Sequence, residues 1–135
     1  QVEYKQSFGM SRDDEVEHIA MQMAMEYEQL QGRNPSDVSA DNVGYDIRSM
    51  ATDGSKRYIE VKGRSGTDGV MLSENEMNRL AQLGDRAWLY IVTDCAAKPQ
   101  LHLICNPAQT MNFERKTKGV QFFLPLAEWQ AHETM

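Results

Sequence analysis

The chain has 135 residues, a formal net charge of −6, and a composition that is 41% hydrophobic and 25% charged. This length and balance are typical of one folded domain with its own core, and they argue against a disordered chain. No apolar run reaches the roughly 18 residues of a membrane-spanning helix. The acidic balance argues against a free-standing, sequence-tolerant DNA-binding protein, because such proteins usually neutralise several phosphates at once.

The first residues, "QVEYKQSFGM", include no initiator methionine and no signal peptide. We therefore expect a piece of a longer protein, with one domain over residues 1–135 that begins with an N-terminal extension over residues 1–10. Cys95 and Cys105 form no CxxC motif, and two cysteines do not make a disulfide framework. A reducing cytoplasm is the expected location.

The first predicted element is a helix that ends near Gly32, which supplies a C-terminal stop. Its apolar residues recur at helical spacing and predict one buried stripe: Val16, Ile19, Ala20, Met23, Ala24, Tyr27 and Leu30.

Strands are predicted next, as a short edge strand near Val38 and two strands near residues 44–50 and 57–62. The following loop, "GRSGTDG", matches no nucleotide-binding motif. Ser73 and Glu76 then form a capping box that begins a second helix.

The second half of the chain predicts two more paired strands. "AWLYIVT" is continuously apolar, as in a central strand covered on both faces, and "QLHLIC" alternates. Asn106 followed by Pro107 indicates a helix N-cap, and "VQFFL" and "PLAEWQAH" predict a last strand and a terminal helix. The order αβββαββ indicates an α/β domain around a mixed sheet.

Charged residues interrupt the strand "RYIEVKG". Because side chains alternate across a strand, Glu60 and Lys62 lie on one face, roughly 7 Å apart, while Ile59 and Val61 lie on the other. Any half-exposed strand could look similar.

The position of Asp46 depends on the hairpin register. A three-residue loop over residues 52–54, with Gly54 in the left-handed conformation, places residues whose numbers sum to 106 opposite each other. Asp46 then faces Glu60 on the same side of the sheet, whereas a two-residue loop would scatter the acids onto different faces.

Two opposed carboxylates repel each other, and a divalent cation is the commonest reason for such a pair. Mg²⁺ (or Mn²⁺) accepts one or two carboxylates and leaves its other positions to water and substrate phosphate. Lys62 could then orient the attacking water or stabilise developing negative charge. It could also simply balance the charge of the two acids.

Together these residues resemble a known family. Asp46, followed fourteen residues later by Glu60, Val61 and Lys62, is similar to the PD-(D/E)XK nuclease superfamily. The series "GYDI…IEVKGR…NE…WLY" resembles more narrowly the Mrr-like domain known as the protein NO VEIN C-terminal domain, over roughly residues 14–107.

The resemblance implies a restriction-endonuclease-like fold and a Mg²⁺-dependent DNA endonuclease in which Asp46 and Glu60 hold the metal. Such domains are often attached to helicase, ATPase or other defence proteins, so we expect further domains of that kind as partners. The proline that often precedes the superfamily's aspartate is replaced here by Tyr45.

One further catalytic residue is assigned on the same resemblance. The superfamily often adds an acid from its first helix, for which Glu17 is the first choice and Glu28 the second. DNA contacts are expected from Arg64 in the basic group around the motif, and from Ser73 and Asn75 at a helix N-terminus. The alternative is a module that keeps this fold but only binds DNA or docks to protein, and a purely structural domain is the third possibility.

Overall fold

The computed structural model of the protein describes residues 12–116 and 121–134. The expected N-terminal extension over residues 1–10 lies outside these ranges. The helices are α1 (Arg12–Leu30), α2 (Glu74–Leu83), α3 (Pro107–Thr110) and α4 (Leu126–Ala131). The strands are β1 (Asn34–Asp37), β2 (Ile47–Met50), β3 (Lys56–Gly63), β4 (Val70–Ser73), β5 (Ala87–Thr93), β6 (Gln100–Cys105), β7 (Glu114–Lys116) and β8 (Gln121–Leu124).

The central sheet has five strands in the order β1-β2-β3-β5-β6. Strands β3 and β5 are parallel, and the other neighbours are antiparallel, so the predicted α/β fold with a mixed sheet is confirmed. A second, antiparallel sheet has the order β4-β8-β7. Strands β4 and β7 were not predicted from the sequence.

Helix α1 covers one face of the central sheet. Besides Glu15, its buried residues recur every four positions: Val16, Ala20, Ala24 and Glu28. Leu30 does not share this spacing and is 83% exposed, so its predicted place in the apolar stripe is wrong. Glu28, four residues after Ala24, is fully buried and occupies the next position of the buried stripe.

A glycine sets how closely α1 approaches β3. A Cβ added at Gly63 would lie 2.9 Å from the Cβ of Ala20 and 2.9 Å from the carbonyl oxygen of Val16. Only a residue without a side chain permits this contact. The small residues on both elements therefore bring the first turns of α1 against the end of β3.

The other face of the sheet is covered by α2, the small sheet and α4. Its core cluster includes Leu72, Leu80, Leu89, Ile91, Ile104, Leu124 and Trp129. Strand β5 contributes to the clusters on both faces, as predicted for a central strand. Among the described residues, we find no helix that combines the length and the apolar character needed to cross a bilayer.

The β2–β3 hairpin has the predicted register. Ile47 pairs with Ile59 and Met50 with Lys56, so the numbers of each pair sum to 106. The turn between them closes with Gly54 at a φ of +89°, in the left-handed region that favours glycine. The prediction of a three-residue loop is confirmed. Glu60 lies on the face opposite Ile59 and Val61, as the alternation along β3 predicts.

Each outer strand of the central sheet has fewer free backbone hydrogen-bonding groups on its open edge than a regular edge strand. Strand β1 has only four residues and includes Pro35, which has no N–H to donate. Along β6, Leu103 forms a β-bridge with Thr134, and the Thr134 hydroxyl accepts a hydrogen bond from the N–H of Cys105.

Asn106 precedes α3 as predicted, but its side chain does not cap the helix. Its backbone is left-handed, with a φ of +53°, and its amide nitrogen donates to Asp85 at 3.0 Å. The side chain thus links α3 to the turn before β5, since its amide nitrogen also donates to the side chain of Gln109 in α3 at 3.2 Å.

Candidate functional site

The loop before β2 is held against α2. Gly44 has a φ of +89°, and a Cβ there would lie 2.8 Å from the Cβ of Arg79, so only glycine fits. The guanidinium of Arg79 donates to the carbonyl oxygen of Val43 at 3.0 Å. This contact brings the residue after the loop, Asp46, close to the N-terminus of α2.

A cleft of about 190 Å³ opens between this loop, β3 and α2. It is smaller than the roughly 300–1,000 Å³ of pockets that enclose drug-sized ligands, and it suits a hydrated ion or a phosphate group. Its lining is mostly polar and includes three acids: Ser39, Asn42, Val43, Gly44, Tyr45, Asp46, Glu60, Ser73, Asn75 and Glu76.

Asp46 is fixed from both sides by the backbone of β3. Its N–H donates to the carbonyl oxygen of Ile59 at 2.8 Å, and its carboxylate accepts a hydrogen bond from the N–H of Val61 at 2.8 Å. Burial raises the pKa of Asp46, although the Val61 N–H and the charge of Lys62 partly oppose this effect. The carboxyl group therefore lies in a fixed position at the cleft wall.

Glu60 is only 2% exposed and lies next to Asp46. Burial, together with the negative charge of Asp46, raises the pKa of Glu60 well above its usual range. The Lys62 ammonium lies 3.2 Å from the Glu60 carboxylate and opposes this rise. The buried Glu60 beside the half-buried Asp46 thus depends on nearby positive charge to ionise.

Lys62 bridges two carboxylates, since its Nζ also lies 3.1 Å from Oε1 of Glu76. Burial alone would lower the pKa of Lys62, but the charges of Glu60 and Glu76 outweigh it and raise the pKa above its usual value. The amine is therefore held as an ammonium, which donates hydrogen bonds and cannot accept a proton.

Glu76 belongs to the site, although sequence reasoning assigned it only to the capping box. That capping box is confirmed: the Ser73 hydroxyl accepts from the N–H of Glu76 at 3.1 Å, and Oε1 of Glu76 accepts from the N–H of Ser73 at 2.9 Å. The same oxygen contacts Lys62. Burial would raise the pKa of Glu76, but Lys62 and the Ser73 N–H lower it overall. The signal in the sequence was the pair Asn75–Glu76, the "NE" of the series that resembles the family.

The two acids of the first helix lie in different environments. Glu17 accepts a long hydrogen bond, 3.4 Å, from the N–H of Gly63 at the end of β3. Although the residue as a whole is exposed, its carboxyl group is partly enclosed, which raises its pKa, while Gly63 and Lys62 oppose the rise. Glu17 thus lies within electrostatic range of Lys62 and Asp46.

Glu28, the second choice, lies in a separate network on the α1 face of the sheet. It accepts two hydrogen bonds from Arg33 and one from the hydroxyl of Tyr90. Burial would raise the pKa of Glu28, but these hydrogen bonds lower it overall. Since its carboxylate is engaged there, the structure favours Glu17 as the helix acid near the cleft.

A comparison with models of known protein families covers the part of the chain that contains these residues. The family model described as "Protein NO VEIN, C-terminal" matches residues 16–104, about two thirds of the chain. The chain belongs to the protein NO VEIN C-terminal family. Searches of curated proteins and of solved structures gave no significant match. The matched span contains Glu17, Asp46, Glu60, Lys62 and Glu76.

The predicted DNA contacts of this NO VEIN C-terminal domain lie at its surface. Ser73 and Asn75 are exposed and line the cleft at the N-terminus of α2. Arg64 follows β3, is 43% exposed in its side chain, and pairs with Asp68 at 3.0 Å. Their role in binding DNA stays a prediction.

The donor set also bears on whether Mg²⁺ fits. Within residues 12–116 and 121–134, no three Asp, Glu, His or Cys side chains are arranged to hold a metal ion by themselves. Mg²⁺ does not require three, because it commonly takes one or two carboxylates and fills its octahedron with water and phosphate oxygens. Asp46 and Glu60 supply two hard oxygen donors whose pKa values are raised chiefly by burial, and a bound cation would favour their ionised forms. The residues therefore fit such an ion.

Proposed function

We propose that this domain is a metal-dependent DNA endonuclease of the PD-(D/E)XK type, similar to Mrr-like restriction enzymes. One observation carries the proposal: the buried carboxylate of Glu60 and the half-buried carboxylate of Asp46 meet in a polar cleft beside the ammonium of Lys62. An ordinary hairpin gains nothing from this arrangement, because burying adjacent acids costs stability.

Each residue has a defined part in phosphodiester hydrolysis. Asp46 and Glu60 would hold Mg²⁺ or Mn²⁺, and a bound ion supplies stabilisation of phosphate charge and a more acidic attacking water. Asp46 is already oriented by the N–H of Val61. Glu60 is oriented by β3, whose alternation places it on the cleft side.

Lys62 acts as a hydrogen-bond donor to the attacking water or to the developing negative charge on the phosphate. Its contact with Glu76 keeps the ammonium at the cleft, at the first turn of α2. Glu17 completes the surroundings from α1 and adds negative charge behind the metal position. Arg64, Ser73 and Asn75 contact the DNA backbone around the cleft.

The setting of the activity follows from the charge of the chain. A net charge of −6 gives the domain little general attraction for DNA, so other domains of the same polypeptide, of helicase or ATPase type, would hold the substrate. A cytoplasmic restriction, defence or DNA-processing protein is the proposed context.

A second candidate is a catalytically silent module of the same fold that binds DNA or docks to protein. The acidic net charge favours it, as does the engagement of Lys62 by two carboxylates. The nuclease remains the better-supported function because a docking module has no use for Asp46 and Glu60 lining a cleft.

Nicking of supercoiled plasmid DNA by the purified 135-residue chain tests the proposal. We expect nicking with Mg²⁺ or Mn²⁺, none in EDTA, and a loss of about 100-fold or more in Lys62→Ala, the typical effect of removing one charge-stabilising donor. Lys98→Ala, which removes an exposed lysine in the β5–β6 turn, is the matched control and should keep full activity.

Thermal melting supplies a readout that does not depend on turnover. A cation that binds only the folded state raises the melting temperature by mass action. Titration with Mg²⁺ or Mn²⁺ should therefore stabilise the parent chain and not Asp46→Asn. A chain that neither nicks DNA nor responds to the cations would contradict the nuclease assignment and favour the silent module.

A further inference from the structure

A second group of side chains lies beside the cleft, on the same face of the sheet. Tyr58 in β3 pairs in register with Arg48 of β2 on one side and with Ala87 of β5 on the other. The guanidinium of Arg86, which precedes β5, lies 5.5 Å from the centre of the Tyr58 ring. Tyr45 packs edge-to-face on that ring, with centroids 5.1 Å apart. We call Tyr45, Tyr58, Arg48 and Arg86 the tyrosine row.

The tyrosine row is continuous with the candidate active site. Tyr58 lies two residues before Glu60 on the same side of β3, roughly 7 Å along the strand. Tyr45 immediately precedes Asp46 and lines the cleft itself. Both rings are only half-buried, so part of each remains accessible next to the position where a phosphate would enter.

The charge of the row is not balanced within the protein. In the described part of the chain, neither Arg48 nor Arg86 has a carboxylate within ion-pair distance, whereas Arg33 and Arg64 each do. The guanidinium groups of Arg48 and Arg86 thus add positive charge beside the aromatic pair. Guanidinium groups next to tyrosine rings complement a ligand that has both negative charge and planar aromatic rings.

We propose that the tyrosine row binds an unpaired nucleotide, with its base on the tyrosine rings and its flanking phosphates on Arg48 and Arg86. Aromatic stacking combined with arginine contacts is how proteins hold single-stranded nucleic acid without reading its sequence. Bases inside a duplex are stacked on each other and do not reach such rings unless they are flipped out. The inference names the substrate of the cleft as single-stranded or locally opened DNA, and in that respect it rests on the proposed nuclease function.

Binding is measured in EDTA, so that no hydrolysis can occur. The probes are a fluorescein-labelled 20-nucleotide DNA strand, its duplex and the RNA strand of the same sequence, at one fixed salt concentration, followed by fluorescence anisotropy. We expect the chain to bind the single strand more tightly than the duplex. Tyr58→Leu and Tyr45→Leu should each weaken single-strand binding by roughly 5- to 150-fold, the range measured for removing one stacking ring.

Matched variants separate stacking from general effects. Tyr58→Phe keeps the ring and should bind as the parent does. Arg86→Ala should weaken binding, while Arg115→Ala, which removes an arginine 5.4 Å from the ring of Phe122 in the small sheet, should not. Melting temperatures show that each variant is folded.

The outcomes distinguish this inference from the nuclease function. If the parent nicks plasmid DNA but Tyr58→Leu and Tyr45→Leu bind single strands normally, the inference is overturned and the nuclease stands. If the tyrosine variants lose binding while no variant or parent nicks DNA, the inference stands and the nuclease fails. Equal affinity for single strand and duplex, unaffected by either leucine variant, would overturn the inference.

Discussion

The close contact between α1 and β3 predicts opposite effects for two glycines that are three residues apart. Gly63→Ala introduces a Cβ that lies 2.9 Å from the carbonyl oxygen of Val16 and from the Cβ of Ala20. Favourable contacts between heavy atoms lie at about 3.5–4.0 Å, so the helix would have to move by about 0.6 Å or more. Neither contact can be relieved by a side-chain rotation, because one atom belongs to the backbone and the other is a Cβ.

The size of the effect follows from this geometry. Overpacking a well-packed interior costs about 1–3 kcal/mol of the free energy of unfolding. An unfolding entropy of about 2.1 cal/mol/K per residue gives about 0.28 kcal/mol/K for 135 residues, so the melting temperature should fall by about 4–11 °C. Because the shift moves the first turns of α1, it should also displace Glu17 from the N–H of Gly63.

Gly66→Ala is the matched control. A Cβ at Gly66 meets nothing within 4 Å, and its backbone is not left-handed, so alanine should be neutral or slightly stabilising. Both variants are compared with the parent by circular dichroism melting in EDTA. A Gly63→Ala chain that melts within about 1 °C of Gly66→Ala would refute the packing of α1 on β3 described above.

Two further predictions concern the buried acids. Glu60→Gln should raise the melting temperature at neutral pH in EDTA, because the pKa of Glu60 is raised in the folded state and ionisation of this residue therefore opposes folding. This cost to the free energy of unfolding is absent below the ordinary carboxyl pKa of about 4.3 and grows as the pH rises from there towards the raised folded-state pKa. The advantage of the variant should therefore shrink as the pH falls from 8 towards 4.5, and a constant difference would contradict the assignment. Tyr90→Phe removes a hydrogen bond to the ionised Glu28 and should cost about 1.5–3 kcal/mol in urea unfolding without changing nicking. An unchanged free energy of unfolding in Tyr90→Phe would show that the hydrogen bond from Tyr90 to Glu28 does not stabilise the fold.

Local signals made one part of the site predictable. The register of the β2–β3 hairpin depends on the length of one loop and on Gly54, and both are visible in the chain. The same holds for the start of α2, where Ser73 and Glu76 form the expected capping box. These features involve residues close in sequence, so no knowledge of distant contacts was needed.

Other parts depend on residues far apart in sequence. Burial of Glu28 is compensated by hydrogen bonds from Arg33 and from Tyr90, and no helical pattern indicates a partner 62 residues later in the chain. Strand β4 exists because β8 pairs with it, and its own four residues carry too little periodicity. Glu76 was overlooked for a different reason: its capping role explained it fully until the structure placed Lys62 at 3.1 Å.

The two outer strands of the central sheet limit how other proteins can attach to this domain. A four-residue edge strand interrupted by Pro35 offers few free backbone groups, and the bridge from Thr134 occupies part of the opposite margin. Such features discourage a foreign strand from extending the sheet, and with it the aggregation that follows edge-to-edge pairing. Any protein that contacts the margins of the central sheet would accordingly do so through side chains and loops and not by adding a strand.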